Sequence, residues 1–110
     1  MRDAERVLPE DYDEQVLDVV RLIPPGRVLS YGDVAEYLGI GGPRRVGQAL
    51  ARTYDEVPWW RVIHADGSPP PHKGRRCLAQ WRSEGTPLRA RGDRVDMRRA
   101  RWDGGVPGAG

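Results

Sequence analysis

Cys77 is the only cysteine in this 110-residue chain. One thiol excludes an internal disulfide framework and fits a reducing cytoplasm. Histidine is almost as scarce, with only His64 and His72. One Cys and two His are too few for a structural zinc site, so no metal ion is expected. The chain is also too short to hold a cofactor-binding domain beside a substrate domain, and no cofactor is expected. No apolar run approaches the roughly 20 residues of a membrane helix, so no membrane partner is expected. Met1 to Glu10 is charged and lacks the apolar stretch of a signal peptide. Hydrophobic residues make up 38% and charged residues 31%, a balance that leaves a single soluble globular domain as the class to read further.

What is abundant is arginine, and it is unevenly placed. Residues 1–40 carry four Arg against nine acids, a net −5, whereas residues 41–110 carry fourteen Lys or Arg against seven acids, a net +7. A basic half beside an acidic half is the charge pattern of a protein with one face toward a polyanion. A solvated Arg-rich surface gives the same numbers, so charge alone leaves both readings open.

Local patterns divide the chain into an arm (residues 1–9), a domain (residues 10–103) and a disordered tail (residues 104–110). Asp11 to Leu22 reads as a helix, with Val16, Val20 and Ile23 at i, i+4 and i+7. Pro24-Pro25-Gly26 stops it, and Arg27 to Leu29 is a short extended link. Ser30-Tyr31-Gly32-Asp33 has the spacing of a capping box and opens a short helix with Val34, Ala35 and Leu38 inward. Gly39, Gly41 and Gly42 form a turn, after which Pro43 suits the first residue of another helix. Val46, Ala49 and Leu50 make that helix's buried stripe, and Arg44, Gln48 and Arg52 lie on another face with Arg45 beside them. Helix, Gly-rich turn and helix with a basic exposed stripe is the pattern of a helix-turn-helix, and the Arg/Gln face favours DNA contact over simple helix packing.

Val57 to His64 reads as a loop entering a short extended segment, and Ala65 to Gly74 is too rich in Gly and Pro to be helical. Arg75 to Glu84 reads as a helix with Cys77, Leu78 and Trp81 inward and Gly85 as its stop. Arg91-Gly92-Asp93 reads as a turn between two short strands, a candidate wing. The fold class is therefore mainly α with short strands, a winged helix-turn-helix-like domain. Trp81 and Trp102 are read as core residues.

Four segments also carry a family resemblance. Pro58-Trp59-Trp60-Arg61-Val62 resembles the Pro-Cys-His-Arg-Val active-site motif of the O6-alkylguanine-DNA alkyltransferases. Ile23-Pro24-Pro25-Gly26, followed by Ser30-Tyr31-Gly32, is similar to that family's Ile-Pro-x-Gly-x-x-x-Ser-Tyr-Gly. Arg44-Arg45-Val46-Gly47-Gln48-Ala49 is similar to its Arg-x-Val-Gly-x-Ala recognition helix, and Glu84-Gly85 matches its Glu-Gly. Together they run from about Tyr12 to Glu84 and imply the fold of that family's C-terminal DNA-binding domain. Trp59 stands at the cysteine position and Trp60 at the histidine position. A Trp in place of the nucleophile marks the alkyltransferase-like proteins, which bind alkylated DNA and hand it to nucleotide excision repair.

The resemblance implies a non-enzyme with no catalytic residues and no cofactor. It implies a monomer in the cytoplasm, on the nucleoid when bound, whose partners are double-stranded DNA containing O6-alkylguanine and nucleotide excision repair proteins. Arg44 matches an arginine that replaces the extruded nucleotide, and Tyr31 matches a tyrosine that pushes on the phosphate 3′ to the lesion. Recognition is then from the minor groove, with Gly47 and Ala49 letting the helix lie close to the backbone. Tyr31, Arg44, Arg45, Gln48 and Arg52 are the expected DNA contacts. The lesion pocket is expected from Tyr31, Trp59, Trp60, Arg61 and Val62, with His72, Lys73, Arg75 and the adjoining Arg76 from the following loop, for each of which simple solvent exposure is an equal alternative. For Trp60, packing in the core is an equal alternative. The chain departs from the family in Trp60, in having no Asn near the hinge after the recognition helix, and in lacking the transferases' large N-terminal domain. Two other readings stand beside this one: a winged-helix regulator that reads base edges in the major groove, and an enzyme with Cys77 as nucleophile, which the apolar helical setting of that residue disfavours.

Overall fold

The computed structural model describes residues 8–53 and 57–105. Most of the expected N-terminal arm, and the tail beyond Gly105, lie outside the described residues. Helix α1 (Tyr12–Leu22) buries Tyr12, Val16, Leu17, Val19 and Val20, a wider stripe than the three positions expected. Each fully buried Val or Leu contributes about 1.5–3 kcal/mol over exposure, against about 0–1 kcal/mol for a surface ion pair such as Arg21–Asp18. The α1 face, not its charges, therefore anchors the core.

Strand β1 (Leu29–Ser30) leads into α2 (Tyr31–Leu38). The capping box forms as expected: Asp33 N–H donates to Ser30 Oγ at 3.0 Å, and Ser30 N–H donates to Asp33 Oδ2 at 2.9 Å. Helix α3 (Pro43–Ala51) follows a tight turn and buries Val46, Ala49 and Leu50. Gly41 sits in that turn at φ +84, where a Cβ would collide with the Tyr12 hydroxyl. That hydroxyl donates to the Ile40 carbonyl at 3.0 Å, so the α2–α3 turn is pinned onto the start of α1. Burial raises the Tyr12 pKa, opposed by the nearby Arg45.

A 3₁₀ turn (Trp59–Arg61) runs into β2 (Val62–Ile63), which pairs in parallel with β1, Leu29 opposite Val62 and Ser30 opposite Ile63. Helix α4 (Gly74–Glu84) ends at Gly85 in the left-handed conformation. The expected wing is a hairpin reduced to one antiparallel bridge, Leu88 with Val95, with Arg89 N–H donating to the Arg94 carbonyl. No strands develop because Asp96 already caps α5 (Met97–Ala100), which leaves no residue to extend the ladder. The chain then returns to the core: Val28 and Trp102 exchange backbone hydrogen bonds with residues 100 and 28. Trp102 stacks on Tyr37 at 5.7 Å, and Trp81 is fully buried with its indole N–H on the Trp60 carbonyl. Both tryptophans are structural, as expected. Among the described residues no helix is long and apolar enough to cross a membrane.

Glu84, the last residue of α4, accepts from three residues in two distant segments. Gly26 N–H and Arg61 Nε reach Oε1, each at 3.1 Å, while Trp60 Nε1 and Arg61 Nη2 reach Oε2 at 2.9 and 2.6 Å. Burial would raise the Glu84 pKa, but the Arg61 hydrogen bonds foremost, with Gly26 and Trp60, hold it below the usual carboxylate range. Cys77, on the inner face of α4, is fully buried, and burial pushes its thiol up to about 12.

Both groups are open to direct test. Native protein at pH 8 should leave Cys77 unlabelled by a thiol reagent, with one thiol appearing in denaturant; rapid native labelling would mean the α4 packing is wrong. Glu84→Gln should lower stability at pH 7 by about 3 kcal/mol, the scale for removing one partner of a buried pair. Because its carboxyl pKa is lower folded than unfolded, the Glu84 contribution is complete above about pH 4.3 and fades as pH falls through the folded value. Urea midpoints between pH 6 and pH 3 should therefore converge for wild type and variant, and a constant gap would contradict the assignment.

Candidate nucleic-acid interface

The exposed side of α3 begins immediately after the glycine turn, because Gly42 is its N-cap and Pro43 its first residue. Arg44 and Gln48 point outward, and Arg44 makes no ion pair with any described residue. The other two cations expected on this face are partly engaged. Arg45 lies over the Tyr12 ring at 5.5 Å, with Nη1 3.1 Å from Asp13 Oδ1 in an ion pair that lacks hydrogen-bond alignment. Arg52, one residue past the helix, bonds Asp13 Oδ2 at 2.5 Å. Asp13 on α1 therefore gathers both, leaving Arg44 as the arginine of this face with no ion-pair partner among the described residues. Ala49 faces the core at 0% exposure, so of the two small residues expected beside DNA only Gly47 is near the surface.

Tyr31 is the first residue of α2 and is half-buried. Its ring lies against Gly47, where an added Cβ would stand 3.8 Å from Tyr31 Cε1. The ring also meets His64 at 5.3 Å, tilted by 57°. Sequence reasoning misses His64. The parallel register explains the contact: with Ser30 opposite Ile63, the next pair along is Tyr31 and His64.

Trp59 is 5% exposed and packs edge-on against Trp60, with ring centroids 5.8 Å apart at 81°. Two cations from the start of α4 cover it, Lys73 Nζ at 5.6 Å and the Arg76 guanidinium at 5.3 Å from the ring centre. Of the basic residues expected here, Lys73 and Arg76 reach the indole, while His72, at φ +65, and Arg75 are exposed. Trp60 takes a role between the two considered: it is half-buried and its N–H is held by Glu84. Two residues assigned to the pocket lie elsewhere. Arg61 lies over the Trp60 ring at 5.6 Å and commits its guanidinium to Glu84 and the Ile23 carbonyl. Val62 is fully buried in β2. Both follow from the strand, which turns inward straight after the 3₁₀ turn.

Comparison with known proteins places this geometry. The sequence profile of the 6-O-methylguanine DNA methyltransferase DNA-binding domain matches residues 11–85. A DNA base-flipping protein of Escherichia coli is 32% identical over 108 residues, covering 90% of this chain and 81% of its own length. Alkyltransferase-like protein 1 of Schizosaccharomyces pombe is 40% identical over 62 residues, covering 54% of this chain. The match spans 57% of that relative's length, little more than half. A crystal structure of S. pombe Atl1 in complex with damaged DNA containing O6-carboxymethylguanine superposes with a TM-score of 0.74 at 28% identity, covering 87% of this chain and 98% of that one. The chain thus belongs to the family of the 6-O-methylguanine-DNA methyltransferase DNA-binding domain, and within it to the alkyltransferase-like, DNA base-flipping proteins.

Proposed function

We propose that this protein recognises O6-alkylguanine in duplex DNA by turning the nucleotide out from the minor groove side into a pocket walled by Trp59. On this reading it transfers no alkyl group and the bound complex, formed by a monomer, marks the lesion for nucleotide excision repair. The observation that carries the proposal is the Trp59–Trp60 pair. Where alkyl transfer needs a thiolate and a base to deprotonate it, the motif positions hold two indoles, one donating to Glu84. An indole N–H has no basic lone pair and cannot take a proton from a nucleophile. Trp59 can instead offer an apolar face to the alkyl group.

Flipping costs a few kcal/mol of lost stacking and pairing. Arg44, outward and without an ion-pair partner among the described residues, would fill the vacated stack, and Tyr31, whose ring lies against Gly47 of the same helix, would press on the backbone. Lys73 and Arg76 lie over Trp59, so a base entering the pocket must draw them off the ring. Exposed cation–π contacts are worth only about 0.5–1 kcal/mol each, and both side chains are long and flexible, so this opening is cheap beside the flip itself.

Titrating duplexes that differ only by one O6-methylguanine, in several flanking sequences, should show tighter binding to the lesion whatever the flank. Binding that tracks the flank and ignores the lesion would favour a regulator reading base edges. In the same titration Arg44→Ala should weaken binding to lesion and guanine duplexes alike. Trp59→Ala should reduce the preference for the lesion by about 1–2 kcal/mol; an unchanged preference would remove Trp59 from the pocket.

The chemistry is tested by restoring it. Neither the wild type nor Trp59→Cys should take up a methyl group from DNA, since the new thiol has no base beside it and keeps a pKa of about 8.5 or above. Trp59→Cys with Trp60→His rebuilds the transferase motif within reach of Glu84. It should show slow, single-turnover methylation of residue 59 by mass spectrometry. Methyl transfer to the wild-type chain, or to Cys77, would refute the proposal.

A further inference from the structure

Beyond the stretch that the family profile matches, the chain folds back as an arginine-rich unit that the lesion site does not use. Arg89, Arg91 and Arg94 stand on the hairpin and Arg98 and Arg99 on α5, all exposed. Between Arg89 and Arg101 six arginines face two acids, a local charge of +4. Arg94 makes a loose ion pair with exposed Asp66 at 3.4 Å. Arg89 and Arg91 have no ion pair with any described residue. The hairpin arginines line an open groove of about 380 Å³, and Arg89 also borders a second of about 560 Å³ that reaches Asp66 and Arg98.

We infer that this hairpin grips DNA phosphates flanking the lesion, extending the contact made by α3 and Tyr31 along the duplex. The inference rests on the reading proposed above. The reason for choosing DNA over another polyanion is continuity with Tyr31. The Tyr31 ring meets His64. His64 opens a tight turn, with Gly67 N–H on its carbonyl at 2.9 Å and its own N–H on the Ser68 carbonyl at 3.1 Å. Val95 N–H then donates to the Gly67 carbonyl at 3.0 Å. Gly67 sits at φ +89, where a Cβ would collide with the Val95 carbonyl oxygen, so the hairpin base is seated directly on this turn. A second tie leads from α5: Arg101 Nε bonds Asp33 at 2.9 Å, in the same first turn of α2 that begins with Tyr31. The basic hairpin is therefore tied, through the turn of residues 64–68 and through Asp33, to the residue expected to touch the lesion's phosphate. Its cations are arginines, whose planar fork matches a phosphate's oxygens.

Two duplexes, each with one central O6-methylguanine, test this: one of about one helical turn and one of about two turns. Wild-type protein should bind the longer duplex more tightly and with a steeper dependence on salt. Arg89→Gln with Arg91→Gln removes two cations that have no ion-pair partner among the described residues, and melting temperature checks the fold. On the long duplex this variant should lower the magnitude of the log–log salt slope by about 1–2, since each phosphate contact contributes about 0.9. On the short duplex the slope should not change, and the ratio of lesion to guanine affinity should stay at the wild-type value on both. Adding Arg94→Gln should lower the long-duplex slope further. An unchanged slope on the long duplex overturns the inference and leaves the patch to an acidic protein. An equal loss on both duplexes also overturns it, by placing these arginines at the lesion. If the wild type showed no lesion preference the lesion reading would fail, and the length and salt dependence would still report on the hairpin alone.

Discussion

The carboxylate of Glu84 closes a circuit among the end of α4, the link after α1 and the 3₁₀ turn that carries both site tryptophans. A half-buried charge costs several kcal/mol unless its lone pairs are satisfied, and here four N–H donors satisfy them. Two come from the Arg61 fork, one from the Trp60 indole and one from the Gly26 backbone. The Trp81 indole, one turn earlier on α4, adds a fourth tie to the 3₁₀ turn, beside the three from Trp60 and Arg61, through the Trp60 carbonyl. The turn has no helix or sheet of its own to hold it, since β2 is only two residues long. Its shape, and so the position of Trp59, is set by these bonds.

The helices are legible in the sequence where local chemistry decides the matter. Ser30 with Asp33, Pro43 after three glycines and Gly85 after Glu84 are caps and stops that act within a few residues, and each marks the end of a helix. The parallel pairing of β1 with β2 is not legible, because two-residue strands show no alternation and their partners lie over thirty residues apart. The wing is half legible: its turn residues are where they are expected, but a ladder needs extended residues on both sides of the turn, and Asp96 starts a helix there instead.

The site divides in the same way. Trp59 and Trp60 stand out by motif, but neighbours in a motif need not share a pocket. Arg61 and Val62 run from the turn into the strand and are carried to Glu84 and the core. Which loop cations reach Trp59 is a matter of helix phase. Lys73 and Arg76 are three apart and share a face, whereas Arg75 between them faces away. That spacing is a signal in the sequence that could have singled out Arg76 over Arg75. The engagement of Arg45 and Arg52 by Asp13 requires knowing that α1 crosses α3, which no local pattern supplies.

A site that binds a lesion without reacting with it must draw all its discrimination from equilibrium contacts. On the proposed reading, the lesion and guanine differ by one alkyl group, and a methyl in an apolar pocket is worth only about 1–3 kcal/mol. The alkyl contact alone therefore cannot supply both the affinity and the few kcal/mol that flipping costs. The balance has to come from groups indifferent to the lesion, which means cations on phosphates and the Arg44 side chain in the stack. The distribution of residues agrees with that division. The indoles occupy a locked, half-dry turn where a small apolar difference counts most, and the arginines without ion pairs among the described residues stand outside it on α3 and the hairpin. On the same reading, Trp60 at the position expected to match the family's histidine fits this logic, because the indole supplies the N–H that Glu84 accepts and carries no basic lone pair, which a binder does not use.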